Sequence, residues 1–412
     1  MGALTGLRVL DLSRVLAGPW CGQVLADLGA EVVKIERPQS GDDTRGWGPP
    51  WMKTPEGESS GQASYYQSTN RGKLSVAIDL ASREGQELVR ALAASSDVLI
   101  ENYKAGSLAR YGLDYATLAE INPRLVYCSI TGFGQTGPRA EEPGYDFIIQ
   151  GIGGLMSITG ERDDLPGGGP QKVGVAFSDL MTGLYSTVAI QAALLSRERT
   201  GVGQHIDMAL LDVQVATLAN QSMNYLASGK IPARYGNAHA NIVPYQVFRA
   251  ADRDFIIACG NDSQFIALCQ SIGLPHLPDD PRFKRNADRV ANRVEIVELL
   301  SAHFLGRTAD EWVATIHASK VPVGAINNIA RSLEEPQVIA RGLMVKIPHP
   351  QNPDFAMVGS PIKMSGTPVE YVRPAPLLGQ HTDEILGERL GLSAEQLQQL
   401  KGRGVVEQSG GA

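Results

Sequence analysis

The sequence predicts an α/β protein, with a large domain on a mainly parallel sheet with helices on both faces, followed by a smaller α/β domain. Three observations predict it. Over residues 1–130 short apolar runs alternate with amphipathic stretches of helical period, the signature of βαβ units. Residues 229–244, rich in Gly, Pro and Asn, change the texture and read as a linker into a second module. At 412 residues the chain is also too long for one ordinary core.

Taken in order, residues 7–12 read as a strand, 19–28 as a helix opened by Gly18-Pro19, and 31–36 as a second strand, which completes one crossover unit. The pattern returns with a helix at 84–94, a strand at 97–100, a short helix at 115–121 and a strand at 125–130. Residues 178–197 carry apolar residues on most faces and are expected to form a buried helix, with Asp179 in its first turn. Gly201-Val202-Gly203 turns the chain into a strand at 204–208, and a helix is expected over 211–226. The second module offers a strand at 254–259 and helices at 263–272, 293–304 and 309–317. From Val321 onward a proline-rich tail is expected to wrap over other structure and to fray at its end. These readings place a large domain at 1–225, a small domain with linkers at 226–330 and a returning segment at 331–412.

Composition narrows the function classes. The hydrophobic share of 43% and charged share of 20% are those of a folded soluble protein, which argues against disordered or fibrous classes. A net charge of −7 disfavours a nucleic-acid partner. Apolar runs such as 188–195 fall far short of a membrane span, and the first residues have neither a secretory nor a transit pattern, so a cytoplasmic location is expected. Cys21, Cys128, Cys259 and Cys269 lack pairing or metal spacing and read as buried structural thiols.

Several chemistries lack their motifs. The turn after the first strand reads Ser13-Arg14-Val15-Leu16-Ala17-Gly18-Pro19, with one glycine where a dinucleotide fingerprint needs three, although Glu36 stands where a ribose ligand would. The seven histidines form no HExxH or HxH pattern, and Ser129 has no GxSxG elbow. Asp179 has two readings: a charge that serves the start of its helix, or a carboxylate kept ionised by the helix dipole and usable as a nucleophile. Spacing alone does not choose between them. Arg37, Arg71, Lys73 and Arg110 fall near strand ends or in following loops, where they could gather phosphates or simply be solvated.

The segments LRVLDLSRVLAGPWCGQVLADLGAEVVKIERPQSGDDTRGW, NRGKLSVAIDL, DVLIENYKAGSLARYGL and SITGFGQTGP, in this order, resemble the class III CoA-transferases over nearly the whole chain. The resemblance implies a large Rossmann-like domain with a parallel sheet, a smaller α/β domain and an interlocked, ring-shaped homodimer. It also implies transfer of CoA from an acyl-CoA to a free carboxylic acid, with the CoA thioester as substrate and no permanently bound cofactor. KVGVAFSDLMTGLYS aligns Asp179 with the family's nucleophile, which forms an aspartyl anhydride and then an aspartyl-CoA thioester.

CoA contacts carry over as Val15, Leu16, Ala17, Arg37, Ile78 through Ala81, Asn102, Tyr103 and Arg110; Tyr145, Asp146 and Gly260 join the site. Backbone N–H groups at the start of the Asp179 helix and around Gly260 are the expected oxyanion donors. Formyl-CoA transferase has glutamine where this chain has Leu16 and lysine at the place of Ala81. The family's glycine-rich loop is here Cys259-Gly260-Asn261-Asp262, and the racemase branch's histidine is replaced by Tyr145, a poor proton acceptor near neutrality. GNAHANIVPYQVF, VPVGAINN and PLLGQHT look most like the branch that uses succinyl-CoA with glutarate or a related dicarboxylate such as itaconate, and Arg45 is a guess for the distal carboxylate. A racemase and a non-catalytic CoA-binding protein stay as alternatives.

Overall fold

A computed structural model describes residues 1–409; Gly410, Gly411 and Ala412, where the tail was expected to fray, lie outside the described residues. Two compact units form. The first comprises Met1–Leu155, Val173–Met223 and the chain from Ile339 onward, and the second comprises Met156–Lys172 and Asn224–Val338. Residues 156–172, expected within the large N-terminal stretch, group with the second unit.

In chain order the first unit contributes β1 (Arg8–Asp11), β2 (Glu31–Glu36), β3 (Trp51–Lys53), β4 (Ser59–Ala63), β5 (Lys73–Ile78), β6 (Val98–Glu101), β7 (Val126–Thr131) and β8 (His205–Ala209). The second unit contributes β9 (Tyr245–Arg249), β10 (Asp254–Ala258) and β11 (Val323–Ala325), and the chain then adds β12 (Met344–Lys346), β13 (Ala356–Val358) and β14 (Val406–Glu407) to the first. A seven-stranded sheet runs β14-β5-β2-β1-β6-β7-β8, parallel throughout except where β14 pairs antiparallel with β5. β3 with β4, and β12 with β13, are separate antiparallel pairs.

Strand alternation assigns side chains to two layers. Val9, Val32, Val98 and Val126 join Cys21, Leu25, Ile190 and Leu194, which belong to the helices Ala17–Asp27 and Phe177–Thr200. Leu10, Val33, Leu99 and Tyr127 join Val89, Leu118, Ile385 and Leu400 from helices on the opposite face. Both faces are therefore covered, as an all-parallel core requires.

The second unit packs an antiparallel sheet, β11-β10-β9, against helices around Phe248, Phe255, Phe304 and Trp312. Their rings meet edge to face at 5.1–5.3 Å, and the Trp312 indole N–H donates to the Phe304 carbonyl at 2.8 Å.

Four expectations need correction. The helix read at 178–197 spans Phe177–Thr200 and is not buried all round: Leu184, Val188 and Leu195 are 42%, 65% and 69% exposed. The helix read at 211–226 is two helices, Leu210–Ala216 and Asn220–Ser228, parted where Ala219 takes a φ of 46°. β5, wholly buried, was not read as a strand. The tail does more than wrap: it supplies the helices Thr382–Leu390 and Ala394–Gly402 and the edge strand β14.

Candidate active site

The order of the large sheet places its reversal between β1 and β6: the chain runs from β1 outward to β2 and β5, then returns to β6 and continues to β7 and β8. Loops leaving the carboxyl ends of these two neighbours part there and open a crevice. The first loop is held in a fixed shape from below. Asn102, just past β6, accepts the Arg14 N–H at 2.8 Å and donates its Nδ2 to the Arg14 carbonyl at 2.7 Å, as a neighbouring strand would.

Val15 then takes a φ of +70°, a conformation a β-branched residue avoids, at a cost of about 1–3 kcal/mol. Its N–H faces both oxygens of Asp42 at 3.3 Å. Asp42 in turn pairs with Lys34 at 2.9 Å, both side chains fully buried, and the Lys34 ammonium donates to the Ser13 carbonyl at 2.7 Å. Burial works to raise the Asp42 pKa, but the Lys34 charge and the Thr44 N–H outweigh it and leave the carboxyl at about 2.

Asp179 approaches this loop on the helix Phe177–Thr200. Gly183, one turn further on, permits it: a Cβ there would lie 2.7 Å from the Ala17 carbonyl oxygen and 3.0 Å from the Trp20 ring. The helix lacks a side-chain cap of its own, because its N-cap is Ala176. Asp146 supplies the cap from another helix, Asp146–Ile152, where its Oδ1 accepts the Ser178 N–H at 2.8 Å and the Asp179 N–H at 3.3 Å. Gln150 Nε2 holds the other oxygen of Asp146 at 2.7 Å.

The reading in which the helix dipole keeps Asp179 ionised meets two opposing effects. Burial, and secondly the like charge of Asp146, push its pKa up to about 7. The first-turn N–H groups are likewise not free oxyanion donors, since Ser178 and Asp179 give theirs to Asp146 and Phe177 gives its own to the Val175 carbonyl.

A cavity of about 480 Å³ opens over Asp179, lined by Val15, Leu16, Ala17, Asn102, Tyr103 and Tyr145 among others. Asp146 acts from behind it, through the helix cap. Arg37 is exposed at the end of β2 and does not line the cavity, though its charge reaches the Tyr103 phenol. Ile78 is buried and paired with Val406, Ala81 is exposed with its N–H on Asp79, and Arg110 is exposed over the Tyr111 ring at 4.6 Å. None of these three lines the cavity. Gly260 belongs to the second unit, where its N–H donates to Gln264 Oε1 at 2.7 Å.

Three basic residues are engaged elsewhere. Arg45 grips Glu36 with two hydrogen bonds, at 2.8 and 2.7 Å, and the Tyr66 hydroxyl at 2.6 Å, so it is not free for a distal carboxylate. Arg71 forms the same kind of fork with buried Asp27. Lys73 is fully buried and donates to Asp11 at 2.9 Å, the Pro19 carbonyl at 2.9 Å and Asn70 at 3.0 Å. Neither Arg71 nor Lys73 is free to bind phosphate.

Sequence reasoning missed the cations that do line the cavity, Arg14 and Lys104. Arg14 sits over the Tyr103 ring at 5.4 Å and pairs with Asp43 at 3.0 Å. Both are sequence neighbours of residues already singled out, and their charge was the available signal. Tyr65 was also missed. Burial, followed by the charges of Asp179 and Asp146, pushes its phenol to about 12, so it stays a proton donor.

The family model described as CoA-transferase family III matches residues 4–382. The succinate–glutarate CoA-transferase of Agrobacterium fabrum is 52% identical over 93% of this chain and 95% of its own length. The human succinyl-CoA:glutarate CoA-transferase is 43% identical over 98% of this chain and 90% of its own length. Among solved structures, a CAIB/BAIF family protein from Brucella suis is 51% identical, with a TM-score of 0.82, 94% of this chain and 99% of that one covered. Rv3272 from Mycobacterium tuberculosis is 29% identical, with a TM-score of 0.80, 92% of this chain and 98% of that one covered.

Proposed function

The chain belongs to CoA-transferase family III, and from that premise we propose that it moves CoA from succinyl-CoA to glutarate or a closely related dicarboxylate, with Asp179 as the covalent carrier. The observation that supports the carrier role is the position of Asp179, a partly desolvated carboxylate at the wall of a cavity that also gathers the Val15–Ala17 loop, Asn102 and Tyr145. The acids are those named for the relatives at 52% and 43% identity.

The ionised Asp179 attacks the thioester carbonyl; the C–S bond breaks, CoA leaves as the thiolate, and a mixed succinyl-aspartyl anhydride forms. The thiolate next attacks the aspartyl carbonyl, the anhydride C–O bond breaks, and succinate departs from an aspartyl-CoA thioester. The acceptor carboxylate repeats the two steps in reverse order. Arg14 and Lys104 supply positive charge on the cavity wall for the CoA phosphates, while Asp146 and Gln150 hold the start of the Asp179 helix still.

The exposed stripe Leu184, Val188 and Leu195 on the same helix supports the expectation of a homodimer, since apolar side chains lined along one helix face mark an interaction surface. No helix among the described residues is long and apolar enough to cross a membrane. Four buried, unpaired cysteines suit a reducing, cytoplasmic setting.

The deciding experiment is intact-mass and peptide mapping of the enzyme incubated with succinyl-CoA and trapped with hydroxylamine or borohydride. The modification is expected on Asp179 and is lost in Asp179→Asn. A label on any other residue, or none on an enzyme that turns over, overturns the carrier.

A further inference from the structure

The first unit carries another cavity, of about 360 Å³, away from Asp179, and no carboxylate lines it. Its walls are proline-rich and therefore stiff, and its polar groups are Arg373, His349, His381, Gln380 and Lys73. The backbone fixes the proton on each imidazole. The Gln351 N–H donates to His349 Nδ1 at 3.1 Å, and the Ser75 N–H donates to His381 Nδ1 at 3.1 Å. A nitrogen that accepts holds no proton, so in both neutral rings the proton sits on Nε2.

His349 is 2% exposed, and its Nε2 has no hydrogen-bond partner. A buried donor left unmade costs about 1–3 kcal/mol, which an arriving acceptor would recover. The Arg373 guanidinium forms no ion pair or hydrogen bond among the described residues. Gln380 uses its carbonyl oxygen on the Leu377 N–H at 2.9 Å, which leaves its amide protons as donors. Lys73 is committed to Asp11 and adds only its proximity.

The uncommitted side-chain groups of Arg373, His349, His381 and Gln380 in the wall are thus donors, and one is a fixed cation. We propose that this cavity binds a small oxyanion, a carboxylate or phosphate group, held by the Arg373 guanidinium and the Nε2–H groups of His349 and His381. Burial depresses both imidazole pKa values, His381 to about 4 with the Arg373 charge adding to the effect, so at neutral pH both rings keep the donor tautomer. The cavity also abuts the framework of the sheet: the Arg373 carbonyl accepts the Gly72 N–H at 3.0 Å, and the His381 N–H donates to the Ser75 carbonyl of β5 at 2.9 Å.

The test uses the full chain labelled with ¹⁵N-histidine, titrated separately with inorganic phosphate and with glutarate, the ring signals being assigned with His349→Gln and His381→Gln. Binding is expected to shift the Nε2 signals of His349 and His381. Arg373→Gln, an exposed and unpaired position whose loss leaves the fold intact, is expected to weaken that shift by roughly tenfold or more, with Arg373→Lys between the two. A response to phosphate alone assigns a phosphate ligand, one to glutarate alone assigns a carboxylate, and either supports the site. No shift with either anion, or a shift that Arg373→Gln leaves unchanged, overturns it. Because the readout is local to the two imidazoles, the result is independent of whether Asp179 carries acyl groups.

Discussion

Asp146 Oδ1 accepts the Asp179 N–H at 3.3 Å, so two carboxylates share one helix N-terminus. The capping anion takes up the positive end of the helix that sequence reasoning assigned to Asp179. Burial first, and then the like charge of this cap, raise the pKa of Asp179 to about 7.

For the free enzyme, kcat/KM with acyl-CoA is therefore expected to rise about tenfold per pH unit on the acid side and to level off above about 7. Asp146→Asn retains an oxygen acceptor for the Ser178 and Asp179 N–H groups but removes the like charge. Its acid limb should move to lower pH, with several-fold more of its plateau activity kept at mildly acidic pH. A limb that stays in place would assign the shift to burial alone. Pre-steady-state or steady-state pH profiles of the two proteins decide it.

The same shift has a stability sign. A carboxyl whose folded pKa lies above its unfolded value binds its proton more tightly when folded, so it weakens the fold as pH rises from about 4 to about 7. Asp179→Asn is expected to raise the thermal midpoint at pH 8 and to change it little at pH 4, while abolishing transfer. Equal midpoints at pH 8 would refute the burial of the charge.

Gly183→Val forces a Cβ to within 2.7 Å of the Ala17 carbonyl and pushes the Asp179 helix away from the Val15–Ala17 loop. A displacement of about 1 Å is expected to lower kcat roughly hundredfold, with circular dichroism unchanged. Full activity in this variant would mean that the approach of helix and loop does not set the reacting geometry.

Asp42→Asn leaves the buried Lys34 ammonium without its carboxylate and is expected to cost about 3–5 kcal/mol in urea unfolding. In the parent protein the depressed pKa of Asp42 contributes stability that is fully present above about 4 and is lost as pH falls toward about 2. Acid unfolding should therefore shift to higher pH in the variant.

Arg45→Ala should destabilise by a similar amount, about 3–5 kcal/mol, because it strands buried Glu36, and Arg45→Lys should restore only part of it, lacking the two-pronged grip. In the folded fraction the KM for the acceptor acid is expected to stay unchanged. A selective rise in that KM would return Arg45 to the acid-binding role.

Much of the architecture could be read from residue patterns, and the losses have physical reasons. The helix at 115–121 emerged with its observed bounds because its apolar face repeats cleanly, whereas β5, Lys-Leu-Ser-Val-Ala-Ile, opens on a lysine and carries large apolar side chains at only Leu74, Val76 and Ile78, a short signal for a strand that is buried on both faces. Lys73 was open to two readings, a phosphate ligand or a solvated charge, because a lone lysine at a strand end reveals nothing of Asp11, its partner across the sheet. Likewise the cap on the Asp179 helix comes from Asp146, a residue distant in sequence, while the local N-cap is an alanine. Asp179 itself was identified through family resemblance; spacing left it open. Arg14 and Lys104 escaped because charge beside a strand end is common and only the fold gives it a cavity.

β14 closes the outer edge of β5 through Val406 and Ile78, residues separated by most of the chain. While a ribosome makes this protein, that edge stands bare from the time β5 emerges until β14 follows, with the whole second unit produced in between. A bare edge strand whose side chains are all buried in the finished fold is a template for mispairing with other nascent chains. Versions shortened before Val406 should consequently fail by aggregating during expression, even though every residue around Asp179 is present.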